Sequence, residues 1–169
     1  MAGTAVTATW SPYPDVRVYT WLVPAGEWHV RIHRLTTGRP LHTAEAGFCV
    51  PAEPGGSPAR EAAAGARATA SAGNLVAGVR DLAGGRRGEV IRPDPNSHLM
   101  WPRTLLPTLR GTLDPGEHWL VTACFAGTEA GGEQRFAQGP AAAAVARAAE
   151  LASLPGPVRA RLAGARSAP

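Results

Sequence analysis

Two stretches near the start of the chain alternate between apolar and polar side chains with the period of two expected of half-buried strands: Val16-Arg-Val-Tyr-Thr-Trp-Leu-Val23 and Trp28-His-Val-Arg-Ile-His-Arg-Leu35. They flank Pro24-Ala-Gly-Glu27, a turn signal, so the pattern predicts a β-hairpin. With only those four residues in the loop, Val23 faces Trp28 and Trp21 faces Val30. That register gathers Tyr19, Trp21, Val23, Trp28, Val30 and Ile32 on one apolar face and sets His29, Arg31 and His33 on the other with Val18, Thr20 and Leu22. A one-residue bulge would instead place Tyr19 and Trp21 beside His29, Arg31 and His33. Turn geometry therefore decides whether the aromatics are core or binding surface.

Further strands are predicted at 4–10, 47–50, 68–71, 75–82, 89–92, 105–113 and 117–125, with turn residues such as Gly84-Gly85, Pro93-Asp-Pro-Asn96 and Asp114-Pro-Gly116 between several of them. Many short strands spaced by turns suggest a mainly β protein, an antiparallel β-sandwich in which two sheets share one core. A Pro/Gly/Ala stretch at 51–66 reads as a linker. Only the tail reads as helical: Pro140 suits a first helical position, and an Ala-rich run from 141 to 151 continues without a breaker until Pro155. The expected organisation is a β-sandwich domain over 4–126, followed by a Gly/Ala-rich tail over 127–169 with a helix near 140–152.

Composition adds bounds. At 169 residues the chain suffices for one domain, and much of its 44% hydrophobic content is Ala, concentrated at 59–72 and 141–152. The Trp, Val, Leu and Ile positions elsewhere must supply the core. All 17 basic residues are Arg, yet the net charge is only +4 and the arginines are scattered, where a nucleic-acid footprint would be a clustered face. Nucleic acid is not an expected partner. Cys49 and Cys124 each lie in an apolar segment without a second Cys nearby, which predicts two buried thiols and neither a disulfide framework nor a Cys-based zinc site. No run approaches the ~18 apolar residues of a membrane span, and the N-terminus lacks the basic start and apolar run of a secretory signal. The expected location is cytoplasmic, with no membrane partner.

Motifs of several common catalytic scaffolds are missing: no HExxH helix, no Gly-x-Ser-x-Gly elbow, no phosphate-cradling Gly-rich loop and no Cys-x-x-Cys. What remains is the His29, Arg31, His33 triplet, whose side chains leave one strand face roughly 7 Å apart at the ~3.4 Å strand rise. It could neutralise a carboxylate or sulfate, with His as a general base. Two histidines with Glu45 could also ligate zinc. A merely solvated strand face is the third reading. The five indoles, Trp10, Trp21, Trp28, Trp101 and Trp119, would stack on sugar rings if exposed or fill the core if not. Finally, 94–104 and its continuation to Gly111 carry Pro102 and Pro107, which imply an edge or loop passage displaying Asn96, His98, Trp101 and Arg103. Those side chains would then bind substrate or merely satisfy turn and carbonyl groups. No cofactor is implied.

Taken in order, Tyr19-Thr-Trp-Leu-Val-Pro-Ala-Gly, Trp28-His-Val-Arg-Ile-His-Arg, Glu45-Ala-Gly-Phe48, Pro95-Asn-Ser-His-Leu-Met-Trp-Pro-Arg-Thr104 and Pro107-Thr-Leu-Arg-Gly111 resemble the C-terminal domain of the bacterial domain-of-unknown-function 2264 family. The resemblance spans roughly residues 10 to 126; Ala46 and Ser97-His98 depart from its pattern. It implies a β-sandwich that follows a helical toroid, an architecture similar to heparinase II/III-type polysaccharide lyases, here without the toroid and as a truncated or split gene product. By that resemblance His29, Arg31 and His33 face the cleft between toroid and sandwich, as anion-binding or base groups. Asn96, His98, Trp101 and Arg103 join them as substrate-contacting candidates.

Two functional readings follow. One is a non-catalytic C-terminal module of a glycan-processing protein, with an acidic polysaccharide or a helical toroid domain as partner. The other is a stand-alone carbohydrate- or protein-binding domain. A small metal-dependent enzyme using His29, His33 and Glu45 is a weaker third. If strands are missing, an exposed edge would drive homodimerisation or poor solubility.

Overall fold

The computed structural model describes residues 5–51, 59–92 and 104–164. Along them run β1 (Val6–Tyr13), β2 (Val16–Ala25), β3 (Trp28–Thr37), β4 (Leu41–Ala46), β5 (Val50–Pro51), β6 (Arg60–Ala64), β7 (Arg67–Ala72), β8 (Leu75–Asp81), β9 (Arg87–Ile91), β10 (Thr104–Leu113) and β11 (Gly116–Thr128). Three helices follow: α1 (Glu129–Gln138), α2 (Ala142–Leu151) and α3 (Gly156–Gly164). Among these residues no helix is long and apolar enough to cross a membrane.

The hairpin of β2 and β3 forms with a shorter loop than the sequence suggests. Pro24 and Ala25 stay in β2, Ala25 pairs with Trp28, and only Gly26-Glu27 turn the chain, with Gly26 at φ 71°. A positive φ of this kind suits glycine and the tight two-residue turn. Val23 therefore faces Val30 and Trp21 faces Ile32. The expected register is displaced by two residues, and because strand faces repeat every two residues every side chain keeps its predicted face.

The sheets are antiparallel. A seven-stranded sheet runs β1-β2-β3-β11-β8-β7-β6, and opposite it lies a smaller one ordered β4-β10-β5, with β9 also paired to β10. Between them lie Val50, Ala70, Ala77 and Leu105, then Ala68, Val79, Leu109 and Cys124, then Val16, Val18 and Leu35 against Leu41 and Leu113. This is the mainly β, two-sheet sandwich expected. The outer face of the large sheet is covered as well. Trp28, Val30, Ile32, Val121 and Phe125 share one cluster with Phe136, Val145, Ala148, Leu154, Val158 and Leu162 of the helical region. Small side chains on α2, a good helix former by its Ala content, bury Ala148 and Ala149 against the sheet.

Several expectations change here. The 51–66 stretch is not only a linker, because β6 adds an edge strand from it; its Arg-Glu-Ala-Ala-Ala sequence has little β signature and is held by pairing with β7. β4, α1 and α3 were not predicted; α1 is anchored by one aromatic residue, Phe136, beside Gly78 where no side chain competes. Pro107 stands inside β10 opposite Val90, its carbonyl accepting from the Gly47 N–H. The sheet tolerates it because the ladder to β4 begins one residue later, at Thr108. Cys49 is exposed whereas Cys124 is buried. Trp28 is core at 7% exposure, Trp21 and Trp119 stack with centroids 5.9 Å apart, and Trp10 is half exposed.

Candidate functional site

The alternation of β3 delivers His29, Arg31 and His33 to the face that looks toward the smaller sheet, where β4 brings Glu45 over them. His33 sits between a hydroxyl and a carboxylate: its Nδ1 lies 2.8 Å from Thr20 Oγ1 and its Nε2 3.2 Å from Glu45 Oε1. Arg31 donates through Nε to His29 Nε2 at 3.0 Å and through Nη1 to the Ala46 carbonyl at 2.7 Å, while Nη1 approaches Glu45 at 3.8 Å. The His29 ring meets Phe48 edge-on at 4.9 Å. The three residues thus share a face and a network, and the side chains of Arg31 and His33 remain 24% and 15% exposed.

Beneath them lies a buried ion-pair assembly that sequence reasoning missed. Arg86, 1% exposed, donates to Glu45 Oε2 at 2.5 Å, and through Nη2 to Asp81 Oδ1 and Thr122 Oγ1, each at 2.8 Å, and to the Val121 carbonyl at 3.2 Å. Thr122 donates in turn to Glu45 Oε2 at 2.5 Å. Asp81 also accepts from the backbone N–H groups of Ala83 and Arg86, which folds the Gly84-Gly85 turn back under the sheet. The signal was present as an Asp closing an apolar strand, followed by a Gly-Gly turn and Arg. Glu45 was named only as a metal donor.

Burial favours the neutral carboxyl at Glu45, yet the His33 hydrogen bond and charge, Arg86 and the Thr122 hydrogen bond together outweigh it and hold the pKa at about 2. Burial and the neighbouring Arg31 charge, against a smaller opposing effect of Glu45, lower His29 to about 4, so its imidazole is neutral at pH 7. Burial pushes the Cys124 thiol up to about 12, far from a thiolate nucleophile.

His29 has its ring nitrogen committed to Arg31 and a pKa well below the neutral range useful for general-base work. Glu45 is an ionised acceptor at neutral pH. Thr20, His33 and Glu45 have the order of a nucleophile, base and orienting acid, but Thr20 lies mid-strand, paired to Ala8 on one side and His33 on the other. Nor do His29, His33 and Glu45 converge as metal ligands, since the Arg31 guanidinium lies between His29 and Glu45. Among the described residues no group of three or more His, Cys, Asp or Glu is placed to hold a metal ion. Asn96, His98, Trp101 and Arg103 lie outside the described residues.

These shifts set an acid sensitivity. Unfolded His29 takes up a proton near the ordinary value of 6.5, whereas the folded protein resists it down to about 4. Unfolded Glu45 protonates near 4.5 and folded Glu45 only near 2. In both intervals the unfolded chain binds more protons, so stability falls as pH falls. The melting temperature is expected to decline from about pH 6.5 downward, and His29→Gln to flatten the part above pH 4. A melting temperature constant from pH 7 to 4 contradicts this assignment.

Fold and site together define a helix-backed antiparallel β-sandwich with a partly open polar face on its larger sheet. The sequence matches the family described as the DUF2264 C-terminal domain over residues 2–142, and the chain belongs to that family. Among solved structures, it is similar to a heparan sulfate lyase (HepC mutant) from Pedobacter heparinus at 11% identity and a TM-score of 0.52, over 77% of this chain and 22% of that one. It is also similar to a putative kojibiose phosphorylase from human microbiome, at 12% identity and TM-score 0.42, over 94% of this chain and 22% of that one. A third likeness is to the Slr1438 protein from Synechocystis sp. PCC 6803, at 10% identity and TM-score 0.42, over 74% and 61% of the two chains. The likeness to the lyase is one of fold. The chain spans about a fifth of the length of the lyase and of the phosphorylase. Among curated proteins none matches.

Proposed function

We propose that this chain is a non-catalytic β-sandwich module of a larger glycan-processing protein, contacting an acidic polysaccharide through the His29, Arg31, His33 face. A helical toroid elsewhere in that protein would complete the cleft. The observation that carries the reading is the state of Arg31. Glu45 commits its oxygens to Arg86, Thr122 and His33 and reaches Arg31 only at 3.8 Å, so the guanidinium is held by a carbonyl and a neutral imidazole. Its Nη2 makes none of these contacts. A fixed, partly exposed guanidinium whose Nη2 has no partner among the described residues is suited to bidentate binding of a carboxylate or sulfate. His29, with its Nε2 taken by Arg31 and its pKa lowered to about 4 by burial and the Arg31 charge, is a poor general base, which supports a contacting role for this face over a catalytic one. The fold shared with a heparan sulfate lyase supports the choice of glycan class.

Calorimetric titration with a heparan sulfate-derived hexasaccharide tests this. Arg31→Gln is expected to weaken binding about tenfold, the equivalent of one charge-assisted hydrogen bond, and to reduce its salt dependence while circular dichroism shows an intact fold. Absence of binding by the unmodified chain at millimolar ligand refutes the saccharide reading. A stand-alone saccharide-binding domain would give the same titration, and a measurable affinity without any partner domain favours it.

A further inference from the structure

The end of the large sheet carries a feature that the polar cluster does not use. β1 is exposed along its whole length, and between Trp10 and Tyr13 its register against β2 slips: Trp10 pairs with Val18 and Tyr13 with Val16, so that Ser11 and Pro12 on β1 stand against the single Arg17 on β2. In a regular strand, residues three apart point to opposite faces. The one-residue bulge, in a segment containing Pro12, turns Tyr13 to the face of Trp10, and bulges re-aim side chains in this way beside functional sites.

Both rings are 51% exposed and line a groove of about 360 Å³ between β1–β3 and the edge strand β4. Its floor is Val18 and Leu35, and its inner end is the His33–Glu45 pair. Tyr13 is held in place: the Arg39 guanidinium lies 5.1 Å over its ring and is itself tied to Asp15 at 2.9 Å. Arg31 lies on the same sheet face just beyond that inner end, two residues along β3 from His33 and with its Nη1 3.8 Å from Glu45.

We propose that Trp10 and Tyr13 form a stacking platform for a sugar ring, a subsite continuous with the anion contact at Arg31. This rests on the saccharide reading above and extends it. A pyranose presents an apolar face of C–H groups to a flat ring and hydroxyls at its rim, and the groove offers the exposed Trp10 and Tyr13 rings to that face. Charge complementarity at Arg31 favours an acidic saccharide as occupant over an apolar peptide strand.

The test is calorimetry with two probes, a heparan sulfate-derived hexasaccharide and its desulfated, carboxyl-reduced counterpart, on the full chain. Trp10→Ala is expected to weaken both about tenfold, Trp10→Phe to retain most of the affinity, and Arg31→Gln to weaken only the acidic probe. If Trp10→Ala and Tyr13→Ala leave both probes unaffected while Arg31→Gln still weakens the acidic one, the platform is overturned and the anion contact stands. Dependence on Trp10 but not on Arg31 has the opposite meaning. Binding of neither probe overturns both. So does dimerisation by light scattering that Trp10→Ala abolishes, since a second copy would then occupy the groove.

Discussion

Replacing Arg86 with methionine is expected to destabilise the protein by about 3–5 kcal/mol, because it removes the cation from between two buried carboxylates. Asp81 is fully buried and Glu45 nearly so, and Arg86 joins both to Thr122 and the Val121 carbonyl. Typical domains hold about 5–15 kcal/mol in total, so the variant should be marginally folded. Arg86→Lys is expected to fail as well: one ammonium does not present the planar fork that meets Asp81 and Glu45 from separate nitrogens. Combining Arg86→Met with Glu45→Gln and Asp81→Asn should recover part of the loss, since no uncompensated charge remains. Urea unfolding measures all of these, and a loss under about 1 kcal/mol for Arg86→Met would mean the assembly is dispensable.

The second large effect is expected at Phe136. Its ring stacks on Trp28 at 5.6 Å and 12°, meets Phe125 at 6.2 Å and covers Gly78. Phe136→Ala is expected to cost about 3–5 kcal/mol through the cavity left between α1 and the sheet. Near-ultraviolet dichroism should change with it, because Trp28 loses its stacked neighbour. Retained stability with an unchanged aromatic spectrum would show that α1 is peripheral.

How much of this was legible depends on what each step needed. The faces of β2 and β3 followed from alternation alone, and survived a loop two residues shorter than assumed because parity, not register, decides the face. Turn chemistry at Pro24-Ala-Gly-Glu27 could not fix the length, since Pro24 remains in the strand. β4 and β6 were invisible because Leu41-His-Thr-Ala-Glu-Ala and Arg60-Glu-Ala-Ala-Ala are specified by their partners and not by their own propensity. The association of His33 with Glu45 was anticipated in the wrong chemistry, as metal donors; what the sequence hid was Arg86, distant in the chain, which takes the carboxylate's charge. The aromatic pair on β1 was missed for a similar reason. Trp10 and Tyr13 have the wrong spacing to share a strand face, and only the bulge brings them together.

The most direct test of the account is nuclear magnetic resonance mapping of the hexasaccharide on the isotopically labelled chain. Perturbations concentrated at the Trp10 indole, the Arg31 side chain and His33, with Trp28 and the α1–α3 resonances unmoved, are the predicted result. Perturbations confined to the helical face, or none at saturating ligand, would contradict it.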